Sequence, residues 1–204
     1  MIDFYTWDTS NGQRAAIMLE ECGLPYTLHK VDLTAGEQRK PAYLAINPAG
    51  AIPALVDSDG PGGPITITQS GAMLTYLADK TGRFVPGDAR RRAEALQWVF
   101  QATTDTAASS MMIFVLSRLA PEKSQANVAF CEERALRHLR VADARLADRE
   151  FLAGELTIAD FALYPLAVVR RPLIDRAGDL PNLVRWADAL GARPGVARGM
   201  RAAA

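Results

Sequence analysis

The run Ala51-Ile52-Pro53-Ala54-Leu55 constrains this chain more than any other segment. A proline set between an apolar residue and the strand-like Ala54, Leu55 and Val56 is well placed for a cis peptide bond, which proline alone makes accessible at roughly 0.5 to 1 kcal/mol. A cis bond would turn the Ile52 backbone N–H and C=O outward, where they can pair with an extended ligand as a short extra strand. Sixteen residues after Pro53, Gln69 and Ser70 open the helical pattern Met73, Tyr76, Leu77. The unsatisfied N–H groups and dipole of such a helix start favour a carboxylate. A buried turn and a serine cap would explain each half separately; the two together point to a site that grips a small peptide.

The start of the chain supplies a matching half. Residues 2–7 alternate as a strand and run into Asp8-Thr9-Ser10-Asn11-Gly12, after which residues 13–21 read as a helix closed by Gly23 and Pro25. Residues 26–33 read as a second strand and 41–46 as a short helix. Residues 54–56 and 65–68 read as a hairpin across the turn-forming Ser58-Asp59-Gly60-Pro61-Gly62-Gly63-Pro64. The order β-α-β-α-β-β-α, with a candidate cis-proline before its third strand, resembles the thioredoxin fold. Redox enzymes of that fold carry Cys-x-x-Cys at the strand-to-helix turn. Here the turn reads Thr9-Ser10-Asn11-Gly12, so any sulfur chemistry must use a thiol brought by a ligand.

After Thr81-Gly82-Arg83 the strand patterns stop. From Asp88 onward the chain reads as helices, with one stripe of Leu96, Val99, Phe100, Thr103 and Ala107 and another of Val128, Cys131, Ala135, Leu139, Ala142 and Leu146. Cys131 belongs to a core stripe, and Cys22, near the end of the first helix, reads as a small buried residue rather than a nucleophile. In Leu156-Thr157-Ile158-Ala159-Asp160-Phe161, Thr157 is the N-cap, Asp160 the other half of a capping box, and Leu156 staples against Phe161; the role is folding. Pro165 is expected to kink this helix and Pro181-Asn182 to start the next. The fold class is therefore α/β plus all-α: a thioredoxin-like domain at residues 1–80, a linker at 81–87 and an all-helical domain at 88–204.

Charge excludes some functions. The 204 residues carry 23 Lys/Arg and 23 Asp/Glu; residues 1–80 hold 5 against 9 and the rest 18 against 14. Arginines spread over helices, with pairs such as Glu133 and Arg137 at i,i+4, describe solvated faces and not a nucleic-acid surface. No apolar run is long enough to span a bilayer, and the opening Asp3 and strand pattern do not make a signal peptide. Two cysteines fit a reducing cytoplasm. Two histidines, His29 and His138, without clustered cysteines or carboxylates make no metal site.

Both halves of the chain resemble the cytosolic glutathione transferases, and within them the bacterial Nu class, whose Thr-x-Asn-Gly turn is met by Thr9, Asn11 and Gly12. The resemblance implies a thioredoxin-like glutathione-binding domain and a helical domain, assembled as a homodimer. It maps Gln38, the Ile52-Pro53 pair, Gln69 and Ser70 onto glutathione-binding positions; the Nu class often has Glu where Gln69 stands. It also implies an electrophile site facing Asn11, lined by the helix of residues 103–114, where Thr103-Thr104-Asp105-Thr106 replaces glycines common in that class. Asp105 corresponds to an acidic residue that in several classes reaches across the dimer to the glutathione amino group. Arg134 corresponds to an arginine that meets a glutathione carboxylate.

The chemistry asked of such a site is simple. A free thiol with pKa near 8.5 is only about 3% thiolate at pH 7, and a shift of two units, roughly 2.7 kcal/mol, makes it mostly thiolate. The Asn11 amide N–H, the Thr9 hydroxyl and the first amides of the helix are all donors to an anion, and none has to lose a proton. Helix capping is the plain alternative for Thr9, Ser10 and Asn11. Ser10, four residues before Arg14, is a rival for the thiolate contact in the manner of Ser-type transferases, and the choice between Ser10 and Asn11 stays open. Tyr5 lies well before the turn and reads as structural. Three functions follow: glutathione-dependent disulfide reduction, which the resemblance to the Nu class implies; conjugation of glutathione to an electrophilic carbon; and a non-catalytic protein-binding module.

Overall fold

A computed structural model describes residues 1–204. The chain forms two compact units, Met1–Arg83 together with Ala192–Ala204, and Phe84–Gly191. In the first unit, strands β1 (Ile2–Thr6), β2 (Tyr26–Lys30), β3 (Ala54–Asp57) and β4 (Ile65–Ile67) make one mixed sheet in the order β2-β1-β3-β4. β1 runs parallel to β2 and antiparallel to β3, and β3 pairs antiparallel with β4. The expected thioredoxin-like order is present, and the Ile52–Pro53 bond is cis.

Alternation along β1 divides the sheet's two faces. Ile2, Phe4 and Thr6 are buried, and so are Ala15, Ile17 and Leu19 of helix α1 (Ser10–Cys22) and Met73, Leu74 and Leu77 of helix α3 (Ser70–Thr81). Tyr5, on the opposite face, joins Val31, Ala54, Ile46, Ile52 and Tyr43, the last from the short helix α2 (Pro41–Leu44). Helix α1 ends as its sequence dictates, on Gly23 in the left-handed conformation (φ 66°), which donates to the Glu20 and Leu19 carbonyls.

The second unit is helical: α4 (Ala89–Phe100), α5 (Ala107–Phe114), α6 (Gln125–Arg145), α7 (Ile158–Val169), α8 (Arg171–Ala177) and α9 (Pro181–Gly191). Between α4 and α5 lies a π-helical turn, Gln101–Thr106, and a second, Val115–Leu119, follows α5. Thr157 caps α7 and closes the expected capping box with Asp160. α7 continues through Pro165 to Val169. The α6 stripe of Cys131, Ala135, Leu139, Ala142 and Leu146 is buried. The α4 stripe is different from the one its large apolar residues suggest: Phe100 is 62% exposed, while Ala95, Trp98, Val99 and Ala102 are buried. Positions 95, 98, 99 and 102 follow the i, i+3, i+4, i+7 spacing of one helical face, and Phe100 falls off it.

The last helix, α10 (Pro194–Arg201), also departs from the sequence reading. Instead of closing the helical domain, it packs against α1 in the first unit. Two glycines permit the approach: a Cβ at Gly199 would stand 2.4 Å from the Ile17 Cα, and one at Gly195 would stand 2.7 Å from Glu21 Oε1. Arg193 and Arg198 then pair with Glu21 and Glu20 at 2.6 and 2.7 Å.

Candidate functional site

Register places the site at one end of the sheet. Tyr5 faces Ala54, so Pro53 lies beside the C-terminal end of β1, where the chain enters its turn. Leu55 faces Ile67, which brings Gln69 and Ser70 to the same end. The Val31 N–H donates to the Thr6 carbonyl at 2.9 Å, so the loop carrying Gln38 also departs from there. Segments far apart in sequence, at residues 9–12, 52–53 and 69–70, thus converge, and Gln38 lies beside the chain leading into Ile52, its backbone carbonyl oxygen 3.2 Å from where a Cβ at Gly50 would stand.

Thr9 is the N-cap of α1, extended at φ −142° and ψ 155°, and its Oγ1 accepts from the Gly12 N–H at 3.2 Å. Capping uses the oxygen as acceptor and leaves its proton for a ligand. Gly12 cannot be larger: a Cβ there would lie 2.1 Å from Thr6 Oγ1 and 2.6 Å from the Trp7 carbonyl oxygen. Within the first turn, the Gln13 N–H donates to the Thr9 carbonyl at 2.9 Å, so the amides of Ser10 and Asn11 precede the intrahelical ladder and remain donors. Ser10 and Asn11 are both half-buried.

Arg14, one turn into α1, is 1% exposed. Its Nη1 donates to Asn11 Oδ1 at 2.6 Å and to Ser70 Oγ at 3.4 Å. One buried side chain therefore joins the start of α1 to the start of α3. Burial pulls its pKa down to about 10, which leaves it a cation at neutral pH.

Helix α3 begins without a side-chain cap. Gln69 occupies the N-cap position in extended conformation (φ −114°, ψ 128°), its side chain is exposed and makes no cap bond, and Ser70 is buried. The first amides of α3 are thus not consumed by a capping side chain, which suits an anion at this end. Gln38 sits in the short 3₁₀ turn Glu37–Arg39, and its Oε1 is buried with no hydrogen-bond partner in the chain. Buried acceptors without donors are uncommon, and a ligand N–H would satisfy this one.

Ile52 is presented by its neighbours. The Ala51 carbonyl accepts from Tyr43 Oη at 2.7 Å and from Asn47 Nδ2 at 2.6 Å, fixing the segment just before the cis bond. Burial pushes the Tyr43 phenol up to about 12, against a smaller opposing pull from Asn47, so it remains a donor at any physiological pH. Tyr5 stacks on His29 with ring centroids 4.4 Å apart, and burial, then the Asp3 carboxylate, raises its pKa, as suits a structural residue. Cys22 is half-buried and burial raises its pKa, away from thiolate character.

Asp105 and Arg134 belong to the second unit. Asp105 lies exposed in the first π-helical turn, where its carbonyl accepts from Ser109 Oγ at 3.0 Å; Arg134 is exposed on α6. Three residues that build the site escaped the sequence reading: Arg14, Tyr43 and Asn47. For Arg14 a signal existed, a charged residue within the otherwise apolar face that includes Ala15, Ile17, Met18 and Leu19.

A thioredoxin-like sheet whose first helix opens on hydroxyl and amide donors, in a chain with a helical second unit, defines a class of proteins that act on a thiol supplied by a ligand. Comparison with known proteins specifies which. The model of the glutathione S-transferase N-terminal domain matches residues 10–80 and that of the C-terminal domain residues 106–194. Disulfide-bond oxidoreductase YfcG of Escherichia coli is 36% identical over 199 residues, spanning 95% of this chain and 92% of that protein. A glutathione transferase from Burkholderia graminis, solved with two glutathione molecules per subunit, superposes with a TM-score of 0.92 at 35% identity, covering 98% of this chain and 87% of the other. One from Pseudomonas putida, with one glutathione disulfide per subunit, gives 0.92 at 28% identity over 98% and 90%. The chain belongs to the glutathione transferase family.

Proposed function

We propose that this protein reduces disulfides with an activated glutathione thiolate. The observation that carries the reading is the turn at residues 9–12. It presents donors, Thr9, Asn11 and helix amides, in a position where a thioredoxin-like redox enzyme would carry its own cysteines. In this reading Asn11, with Thr9, holds the glutathione sulfur as thiolate, and Ser10 stands beside them as the alternative donor. The Ile52 backbone, presented by cis-Pro53, pairs with the peptide; Gln69, Ser70 and the open end of α3 take a carboxylate; Gln38 Oε1 takes an N–H. Asp105 and Arg134 are assigned to the glutathione amino group and a carboxylate on the family resemblance.

The thiolate attacks one sulfur of the disulfide; an S–S bond to glutathione forms as the substrate S–S bond breaks, and the departing thiolate takes a proton. A second glutathione attacks the mixed disulfide at the glutathione sulfur and releases the other thiol, so two glutathiones become one glutathione disulfide and the substrate becomes two thiols. The protein contributes pKa lowering and alignment. Relatives solved with two glutathiones or one glutathione disulfide per subunit hold the reductant and the product of this exchange. The name of the E. coli relative states the same reaction class.

The test is glutathione-dependent reduction of 2-hydroxyethyl disulfide, coupled to glutathione reductase and compared with the uncatalysed rate. Clear turnover is expected; none above background would move the function to conjugation or to binding alone.

We also propose a homodimer working in the reducing cytoplasm. The second unit leaves Phe100, Phe114 and Phe130 exposed, apolar side chains that a partner subunit would cover, and both cysteines are free. No helix is long and apolar enough to cross a membrane. Sedimentation equilibrium should return twice the 22.1 kDa chain mass; a single species at the chain mass would refute the dimer.

A further inference from the structure

Asn11 can offer a sulfur either of two faces. Its side-chain oxygen repels a thiolate, whereas its N–H₂ donates to one, and free rotation would present both. The geometry removes the choice. Arg14 Nη1 lies 2.6 Å from Asn11 Oδ1, and because guanidinium is donor-only, the group it faces must be the oxygen. Nδ2 is thereby left on the other side. The same Nη1 is 3.4 Å from Ser70 Oγ, the first residue of α3. Arg14 is buried, so this link is not diluted by solvent.

We propose that Arg14 is a positioning residue for the thiolate: by holding the Asn11 oxygen it fixes the amide with its N–H toward the sulfur, and by reaching Ser70 it ties the sulfur-binding end of α1 to the carboxylate-binding end of α3. It acts through Asn11 and does not itself touch the reacting atoms. The inference rests on the glutathione reading above and adds to it the reason one amide rotamer persists. An arginine is suited to this because its planar fork holds a direction, while a lysine ammonium at the same place is a point donor.

The test compares the wild type, Arg14→Met, Arg14→Lys, Asn11→Ala and the Asn11→Ala/Arg14→Met double variant. The readouts are the pH profile of kcat/KM for 2-hydroxyethyl disulfide reduction and the ultraviolet thiolate titration of bound glutathione. Arg14→Met is expected to raise the acid limb by about one pH unit, hence about tenfold slower turnover below it, with kcat falling more than KM rises. In the Asn11→Ala background the same substitution should no longer move the acid limb, since that effect runs through Asn11. Arg14→Lys, which keeps the buried charge and serves if the Met variant does not fold, should give a partial shift. A folded Met or Lys variant that titrates bound glutathione as the wild type does, or an Arg14 effect of equal size in both backgrounds, would overturn the inference and leave the glutathione reading standing. A wild type that binds glutathione yet leaves its thiol at the free-solution pKa would overturn the reading and the inference with it.

Discussion

Asn11→Ala should slow glutathione-dependent disulfide reduction about ten- to hundredfold, while Ser10→Ala stays close to wild type. A hydrogen bond to a charged group is worth about 1.5–3 kcal/mol net, and each 1.4 kcal/mol is a factor of ten in rate. The difference between the two neighbours is orientation. Asn11 has its oxygen committed to Arg14 at 2.6 Å, so its N–H direction is set before the ligand arrives. Ser10 occupies the first position of α1 with no side-chain hydrogen bond to fix its hydroxyl, which must be ordered at each binding event. Asn11→Asp makes the sharper comparison: the shape and the acceptor for Arg14 remain, but the donor becomes a carboxylate facing the sulfur. It should fold as well as wild type and be at least as slow as Asn11→Ala, with its acid limb moved to higher pH by like-charge repulsion. Steady-state rates of the three variants over a pH series decide the matter. Full turnover by Asn11→Ala with loss in Ser10→Ala would make Ser10 the thiolate donor instead.

Local signals carried the first unit far. Alternation placed β1, the Ser58–Pro64 turn separated β3 from β4, and Pro53 before β3 pointed to the cis bond that is present. The helix boundaries were harder, because α1 begins at Ser10, inside what reads as the turn: Thr9 caps it from outside and Ser10 and Asn11 are already helical. The sequence grouped Ile52-Pro53, Gln69-Ser70 and the Thr9–Gly12 turn as one site, but not the means that bring them together: strand register and, from Asn11 to Ser70, the side chain of Arg14. No local pattern announces a buried arginine's partners: Asn11 is three residues away and Ser70 fifty-six. In the second unit the α6 stripe and the capping box were legible, but the α4 stripe was not. Periodicity put Phe100 in the core and left out Ala95, Trp98 and Ala102, whereas the buried face runs through residues 95, 98, 99 and 102 and the π-helical turn from Gln101 re-phases the residues that follow. Membership of α10 in the first unit depends on Gly195 and Gly199 meeting α1, and a glycine's empty side has no signature until its neighbour is known.

Asp160→Ala should be the most destabilising single change in the second unit, by about 3–5 kcal/mol. The carboxylate is fully buried. Its Oδ1 accepts from the Leu152 N–H at 3.1 Å and from Trp186 Nε1 at 2.9 Å, and its Oδ2 accepts from the Thr157 N–H at 2.9 Å. Alanine leaves these three donors buried without an acceptor, which costs more than the hydrogen bonds themselves contribute. It also opens the capping box of α7 and releases α9, whose Trp186 is nearly fully buried. A loss of that size in a chain of this length lowers Tm by roughly 10 °C. The pH dependence separates the buried charge from the hydrogen bonds. Burial pushes the Asp160 pKa up to about 6, although bonds from Thr157, Leu152 and Trp186 pull the other way. Between the ordinary carboxylate value and about 6 the folded state therefore binds more protons than the unfolded state, so this group's contribution falls as pH rises and is lost above about 6. Asp160→Asn keeps an acceptor but cannot titrate. On lowering the pH from 7 toward 4, the wild type should gain stability over Asp160→Asn, at no more than about 1.4 kcal/mol per pH unit. Denaturant unfolding of both proteins across that range gives the comparison, and parallel curves would mean that the folded carboxyl titrates at its unfolded value.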